Sequence, residues 1–147
     1  MARSPLHRLV LSTAVVVLAA FGAALADGPA PLSLSGTYQV VKPNVDTNTV
    51  SMTFTATITN SGSDDVRGPI VLRHPNVIQK VWYRFGEQSI PAGKNVTVSG
   101  VVQVPRTEYD NWATSGPSLF FYTQNDRGDI KTFRIPLSAI PAPVKAK

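Results

Sequence analysis

Few side chains in this sequence could hold a metal ion. Acidic residues occur as two pairs in polar segments, Asp64 with Asp65 and Asp126 with Asp129, and carboxylate oxygens are the ligands that Ca²⁺ prefers. Because Ca²⁺ takes about six to eight oxygens, one pair is too few unless several loops converge at one end of the fold. We therefore predict solvated turns at both pairs and no metal site.

Nucleophilic catalysis would need residues that the sequence scarcely offers. The chain has no cysteine, which excludes thiol chemistry, Cys-ligated zinc and disulfide bonds. Of its two histidines, only His74 lies outside the first 26 residues, and no Gly-x-Ser-x-Gly segment is present to hold a nucleophilic serine. The sequence therefore predicts a protein that is not an enzyme and that carries no cofactor.

Aromatic rings that could stack on a sugar lie in the second half of the chain. If at least two of them are exposed and coplanar they could form a platform for a glycan, and the candidate contacts are Trp82, Tyr109, Trp112 and Tyr122. The alternative is packing, because large aromatic side chains dominate protein cores. On an alternating strand either Trp82 or Tyr83 must face inward, and Trp112 could plug one end of the fold. Packing is the interpretation that we favour.

Arg127, Gly128 and Asp129 form an Arg-Gly-Asp tripeptide in a segment that is typical of a hairpin turn. An Arg-Gly-Asp at a hairpin tip resembles the arrangement that fibronectin modules present to integrins. The same residues are also ordinary turn composition, since Gly adopts positive φ and Asp forms side-chain turns. We favour the turn interpretation and keep these three residues as a hairpin-tip contact to be tested.

The first 26 residues predict a secretory signal peptide. Arg3 and Arg8 precede an apolar run over residues 9–23, and Ala24-Leu25-Ala26 provides a small-x-small exit. The alternative is a transmembrane anchor, which needs about 20 apolar residues, but polar residues and a glycine interrupt the run and no basic stop follows it. We expect cleavage after Ala26 and an exported protein, periplasmic or extracellular, with no membrane span after cleavage.

Residues 27–147 have the length of one domain. Pro and Ala are frequent at both ends, so we expect a flexible segment over residues 27–31, a folded domain over 32–140 and a flexible tail over 141–147. The net charge of the whole chain is +5, but two arginines belong to the predicted leader and the other basic residues are scattered singly. Proteins that bind nucleic acid usually cluster them, so we predict no nucleic-acid partner.

Hydrophobicity in residues 32–137 alternates with a period of two, which predicts strands with one buried face. The pattern is clearest over residues 32–40, 50–58 and 96–104, and shorter strands are predicted at 66–73, 77–85, 118–124 and 130–137. Asn60-Ser61-Gly62, Pro91-Ala92-Gly93 and the segment 125–129 supply turns between them. The sequence therefore predicts an all-β fold, a single immunoglobulin-like antiparallel β-sandwich of about seven strands.

No helical period of useful length is present, and the longest segment without strand character is residues 105–117. Thr107, followed three residues later by Asp110, could cap a single helical turn there. That turn would place Tyr109 and Trp112 on one side of the helix.

Over roughly residues 37–105 the chain resembles the bacterial immunoglobulin-like modules of the NEW3 and CARDB type. A strand ends in Asn60-Ser61-Gly62, an alternating strand follows at 66–72, and Pro91-Ala92-Gly93 opens a Val- and Thr-rich strand that ends in Val104-Pro105. Such modules are often appended to exported enzymes and surface proteins, and they have no catalytic residues. We predict an exported, non-catalytic binding or structural module of the cell envelope or exterior that interacts through protein surfaces. The alternative is a glycan-binding accessory module.

Overall fold

A computed structural model describes residues 32–141 of the chain. The predicted signal peptide, the predicted flexible segment 27–31 and all but the first residue of the predicted tail therefore lie outside the described residues. The elements in chain order are β1 (Leu34–Val45), β2 (Thr49–Asn60), β3 (Val66–Arg73), β4 (Val81–Ile90), β5 (Asn95–Pro105), α1 (Arg106–Ser115), β6 (Leu119–Gln124), β7 (Ile130–Arg134) and β8 (Leu137–Ala139).

The strands form two four-stranded sheets. Sheet A has the order β5-β2-β1-β8 and sheet B has the order β4-β3-β6-β7. The predicted all-β sandwich is confirmed, and the arrangement is compatible with an immunoglobulin-like fold. The count is eight strands rather than about seven, because the segment predicted as one strand at 130–137 is divided between the two sheets.

The division occurs at Ile135 and Pro136, where the chain passes from sheet B to sheet A. The backbone N–H of Ile135 still donates to Leu119 of β6, whereas the carbonyl of Pro136 accepts from Gly36 of β1. The next residues form β8, which pairs with β1 in parallel. One strand pair therefore departs from the predicted antiparallel arrangement.

β2 shows why the alternating segments form strands with one buried face. Its even-numbered residues are 0 to 2 % exposed and face sheet B: Val50, Met52, Phe54, Ala56 and Ile58. Its odd-numbered Ser and Thr residues face outward, where the hydroxyls of Thr55 and Thr57 lie 2.9 Å from those of Ser99 and Thr97 on β5. Burial of the apolar face stabilises the pairing of β2 with β5, and on the outer face the hydroxyl groups of the two strands are paired with each other.

β4 begins and ends later than the predicted strand at 77–85. Residues 74–80 form a turn in which the Nδ1 atom of His74 accepts hydrogen bonds of 3.1 Å from the N–H groups of Asn76 and Val77. Within β4 the pairing register with β3 shifts twice, so that Trp82 and Phe85 are extra residues. Such bulges interrupt the period of two, which explains why the sequence pattern misplaced this strand.

The helix is longer than the single turn expected, and the predicted cap is wrong. α1 has ten residues, and Pro105 at its N-cap position makes no side-chain capping hydrogen bond. The helix ends at Ser115, and the following Gly116 has a φ of 69° and donates its N–H to the carbonyl of Trp112. Glu108 and Trp112 are its buried residues, and Trp112, together with the half-buried Tyr109, packs the helix against the sandwich.

Asn60 joins the two turns that carry the family resemblance. Its side chain is 1 % exposed, and its Nδ2 donates to the carbonyls of Asp64 at 2.7 Å and Ile90 at 3.0 Å. Its Oδ1 accepts from the N–H of Gly62 at 3.0 Å. The end of β2 and the end of β4 are thereby held together, so the two sequence motifs form one structural unit.

Candidate functional site

Tyr109 and Trp112 lie side by side on α1, as the sequence predicts. Their ring centroids are 6.0 Å apart and the ring planes are inclined by 52°. Together with Tyr38 and Val40 of β1 and Ile140 after β8, they line a groove of about 390 Å³. Because the two rings are inclined, they do not form the coplanar pair that a sugar-stacking platform would need.

Trp112 faces the core rather than the solvent. It is 5 % exposed, its ring lies edge-on to Phe54 at 5.9 Å, and its Nε1 donates a 3.1 Å hydrogen bond to the carboxylate of Glu108, itself 8 % exposed. A ring held in this way is a structural anchor for α1 and offers no face to a ligand. This burial favours packing, the interpretation preferred from the sequence, and gives no support to Trp112 as a ligand contact.

Tyr38 forms the opposite wall of the same groove. Its ring stacks on Phe54 with a centroid distance of 6.0 Å and an angle of 15°. Burial raises the pKa of Tyr38 above its ordinary value of 10.0, and the nearby Tyr109 raises it further. Both effects disfavour the phenolate, so this wall presents a neutral phenol.

Trp82 is positioned by the bulge in β4. Arg73 of β3 pairs with Val81 and Leu72 pairs with Tyr83, which leaves Trp82 between them as the extra residue. We expected either Trp82 or Tyr83 to face inward. Both are half-buried and pack against the core, because the bulge removes strict alternation. Within residues 32–141, the indole Nε1 of Trp82 is a buried nitrogen with no hydrogen-bond partner.

Tyr122 lies on the outer face of sheet B, away from the groove at Tyr109. Its hydroxyl accepts a 2.9 Å hydrogen bond from Nε of Arg73, and it lines a separate cavity of about 490 Å³ that also involves Arg67 and Glu87. Tyr109 and Trp112 share one groove and Tyr122 lines another cavity, so the four aromatic residues singled out by the sequence do not form one site.

The Arg-Gly-Asp segment forms the predicted hairpin turn between β6 and β7. Asn125 organises it: its Oδ1 accepts from the N–H groups of Arg127 at 3.0 Å and Asp129 at 2.8 Å, and its Nδ2 donates to the Asp129 carboxylate at 2.9 Å. Gly128 has a φ of 86°. The three residues are exposed, but the Asp129 carboxylate is already engaged by Asn125, so the turn geometry alone accounts for these residue types.

One carboxylate of each acidic pair serves its turn, that of Asp129 as described above and that of Asp65 at the other pair. The Asp65 carboxylate accepts a 2.9 Å hydrogen bond from the N–H of Ala92, which links the turn after β2 to the turn before β5. Over the described range 32–141, no three His, Cys, Asp or Glu residues are grouped as a metal site would need.

In the same part of the chain no helix has the length and apolar character needed to cross a membrane.

β5 forms an edge of sheet A and pairs with β2 on one side only. The N–H of Asn60 donates to Lys94 and its carbonyl accepts from Gly93, so even-numbered residues of β2 direct their backbone groups toward β5. Backbone groups alternate along an antiparallel pair. The register therefore directs those of the odd-numbered β5 residues away from β2, including Thr97, Ser99, Val101 and Gln103. These N–H and C=O groups line the free edge.

β5 is a long edge strand without charged residues, and its single proline, Pro105, is its last residue. β5 has eleven residues, none of them charged, and Val101 is 74 % exposed. Natural edge strands are commonly protected by Lys, Pro, charged side chains or short length. The sequence analysis identified this segment as a strand but did not place it at an edge, although its lack of charge was a signal that could have drawn attention to it.

No protein-family model matches this chain, and no curated protein matches it. Three solved chains match it, among them the X-ray structure of Northeast Structural Genomics Consortium target SoR45. That chain has 10 % sequence identity and a TM-score of 0.33, over 79 % of this chain and 92 % of the other. At that TM-score the likeness carries no argument about fold or function. The resemblance to NEW3 and CARDB modules stays a prediction.

Proposed function

We propose that this protein is an exported, non-catalytic binding module of the cell envelope or exterior, and that it binds another protein by adding an extended segment to β5. The observation that carries the proposal is the free edge of that strand, where the backbone groups of Thr97, Ser99, Val101 and Gln103 are directed away from β2 and no second strand is hydrogen-bonded to β5. Addition of a strand to a sheet edge is a recurring mode of peptide recognition.

The energetics favour this mode at β5. A partner strand that spans the four outward-facing residues gains a row of backbone hydrogen bonds, each with a net value of about 0.5–1.5 kcal/mol. No charged side chain on β5 has to be desolvated when the partner docks. The exposed Val101 side chain adds an apolar contact, since its 74 % exposure leaves most of its surface available for burial.

The substitution Ser99→Pro tests the proposal against a closely matched control. Proline removes the outward N–H of residue 99, and an edge strand tolerates this because that N–H has no partner within the sheet. Both Ser99→Pro and Ser99→Ala remove the hydroxyl contact with Thr55, but Ser99→Ala keeps the N–H.

The measurement is affinity capture from an envelope extract with each variant as bait, followed by Kd measurement for each captured protein. We expect wild type and Ser99→Ala to retain the partner and Ser99→Pro to lose it. Equal capture by all three proteins would contradict strand addition at β5.

Export is the second element of the proposal, and the pattern of residues 1–26 supports it. N-terminal sequencing of the protein recovered from its native source tests it separately. We expect the mature chain to begin at Asp27 and to be found outside the cytoplasm. A chain that retains Met1 and stays in the cytoplasmic fraction would contradict export without bearing on β5.

Binding of a glycan is a second candidate function, and the groove beside Tyr38 and Tyr109 favours it. Both rings remain partly accessible, although Trp112 offers no face. Retention of the protein on insoluble polysaccharides, compared with Tyr109→Ala, measures this activity. Loss of retention in the variant supports the glycan function, and equal retention by both proteins removes this groove as its site.

A further inference from the structure

The outer face of sheet B brings together arginines that are far apart in the sequence. Val71 of β3 pairs with Arg84 of β4 and with Phe120 of β6, and Phe120 pairs with Arg134 of β7. Residues paired across antiparallel strands share a face. One cross-strand row therefore reads Arg84, Val71, Phe120, Arg134. Strands lie about 4.8 Å apart, so its two ends are about 14 Å apart at the backbone.

A buried arginine stands next to the middle of this row. Arg73 is 5 % exposed, and its guanidinium lies 3.6 Å from the centroid of the Phe120 ring. Its Nε donates to the hydroxyl of Tyr122 and its Nη1 donates to the carbonyl of His74 at 3.0 Å. Both acceptors are neutral. Among the described residues no carboxylate lies within 4.0 Å of Arg73, since the ion pairs found there are Arg67 with Glu87 and Arg106 with Asp110.

An uncompensated buried cation is energetically costly. Here the Phe120 ring, the Tyr122 hydroxyl and a backbone carbonyl stabilise Arg73, and no ion pair among the described residues neutralises its positive charge. Arg84 and Arg134 flank it and are exposed. Glu87 shares this face but is already paired with Arg67. We define the basic row as the cross-strand row Arg84, Val71, Phe120 and Arg134 together with the adjacent Arg73.

We propose that the basic row is a docking surface for an acidic segment of a protein partner. Arginine binds carboxylates through paired N–H donors, and the two exposed arginines are separated by about 14 Å, which matches carboxylates about four residues apart on an extended strand. This surface lies on the opposite sheet from β5, so the inference does not depend on strand addition there.

The apolar residues of the row favour a protein over a membrane or a nucleic acid. Val71 is 2 % and Phe120 is 7 % exposed, so neither side chain could insert into a bilayer. The Arg73 guanidinium covers the face of Phe120, which leaves that ring unable to stack on a base or a sugar. The available chemistry is charge-assisted hydrogen bonding from Arg84 and Arg134 to carboxylates.

The test is an NMR titration with a short Ser/Gly peptide that carries two Glu about four residues apart, with the Gln analogue as the control peptide. The titration is repeated on Arg84→Gln/Arg134→Gln and on Lys42→Gln/Lys94→Gln. Both double variants lose two exposed positive charges, but the second pair lies on β1 and in the turn before β5.

We expect the Glu peptide to shift the Nε–Hε resonances of Arg84 and Arg134 and the Gln peptide to leave them unchanged. Arg84→Gln/Arg134→Gln should weaken binding about tenfold, and Lys42→Gln/Lys94→Gln less than about twofold. Absence of these shifts would overturn the proposal, as would equal weakening by the two double variants. Stronger arginine-dependent binding to vesicles of anionic lipid or to an oligonucleotide than to the peptide would also overturn it.

Discussion

Asn60 should be the most sensitive polar residue of the described domain, and Asn60→Ala tests this. The side chain makes three hydrogen bonds, to the carbonyls of Asp64 and Ile90 and from the N–H of Gly62, while only 1 % exposed. Each bond contributes about 1 kcal/mol net, and the buried carbonyl of Ile90 is left without this donor, so we expect a loss of about 3 kcal/mol in the free energy of unfolding.

The assay is urea unfolding followed by circular dichroism. With a slope of about 1.5 kcal/mol per M, a loss of this size lowers the urea midpoint by about 2 M. Asn95→Ala is the control, because Asn95 is an exposed asparagine at the start of β5. Surface substitutions of this kind change stability by less than about 0.5 kcal/mol.

Asp65→Ala provides a second comparison, because it removes the hydrogen bond from Ala92, which spans the same two turns at the surface. We expect it to lower the free energy of unfolding by about 1 kcal/mol. A loss below about 1 kcal/mol for Asn60→Ala, or one no larger than that of Asp65→Ala, would refute the interpretation of Asn60 as the buried joint between these turns.

Three further predictions concern the core and the groove. Trp112→Phe leaves the buried carboxylate of Glu108 without its indole donor and should lower the free energy of unfolding by about 1–3 kcal/mol. Glu108→Gln keeps an acceptor oxygen for the indole, so in the same urea assay it should lower the free energy of unfolding by less. Gly68→Ala should destabilise the protein more than Gly86→Ala, because a Cβ at residue 68 would collide with a backbone oxygen of β6. A Cβ at residue 86 meets no atom within 4 Å, and only the φ of 77° there opposes the substitution. Equal urea midpoints for the two variants would contradict this. Burial raises the pKa of Tyr38 above 10.0, so the contribution of this side chain to stability is present below pH 10.0 and is lost as the pH rises further. The free energy of unfolding should therefore fall less steeply with rising pH in Tyr38→Phe than in the wild type.

β2 could be predicted from the sequence because its alternation is uninterrupted from Val50 to Ile58 and one face is fully buried. β4 could not be placed correctly, since the bulges at Trp82 and Phe85 depend on its pairing with β3. β8 was missed because its existence depends on a long-range parallel pairing with β1 that three residues cannot signal. α1 was underestimated because the burial of one tryptophan, rather than a periodic apolar stripe, holds it against the sandwich.

The candidate surfaces were still less predictable, because both depend on strand order. The sequence identified β5 as a Val- and Thr-rich strand, but only the sheet order shows that one side of it is free. The arginines of the basic row come from three strands, and along the chain they look scattered. Conversely, Trp112 was conspicuous in the sequence and proves to be a packing residue.

The central claim is that β5 accepts a partner strand, and amide hydrogen exchange in the absence and presence of a captured partner tests it most directly. In the free protein, the N–H groups of Thr97, Ser99 and Val101 should exchange rapidly, while those of Val98 and Val102, which point toward β2, should be protected. On binding, the first three should become protected as well. If binding leaves the exchange rates of these three amides unchanged and slows exchange elsewhere on the domain, the claim is contradicted.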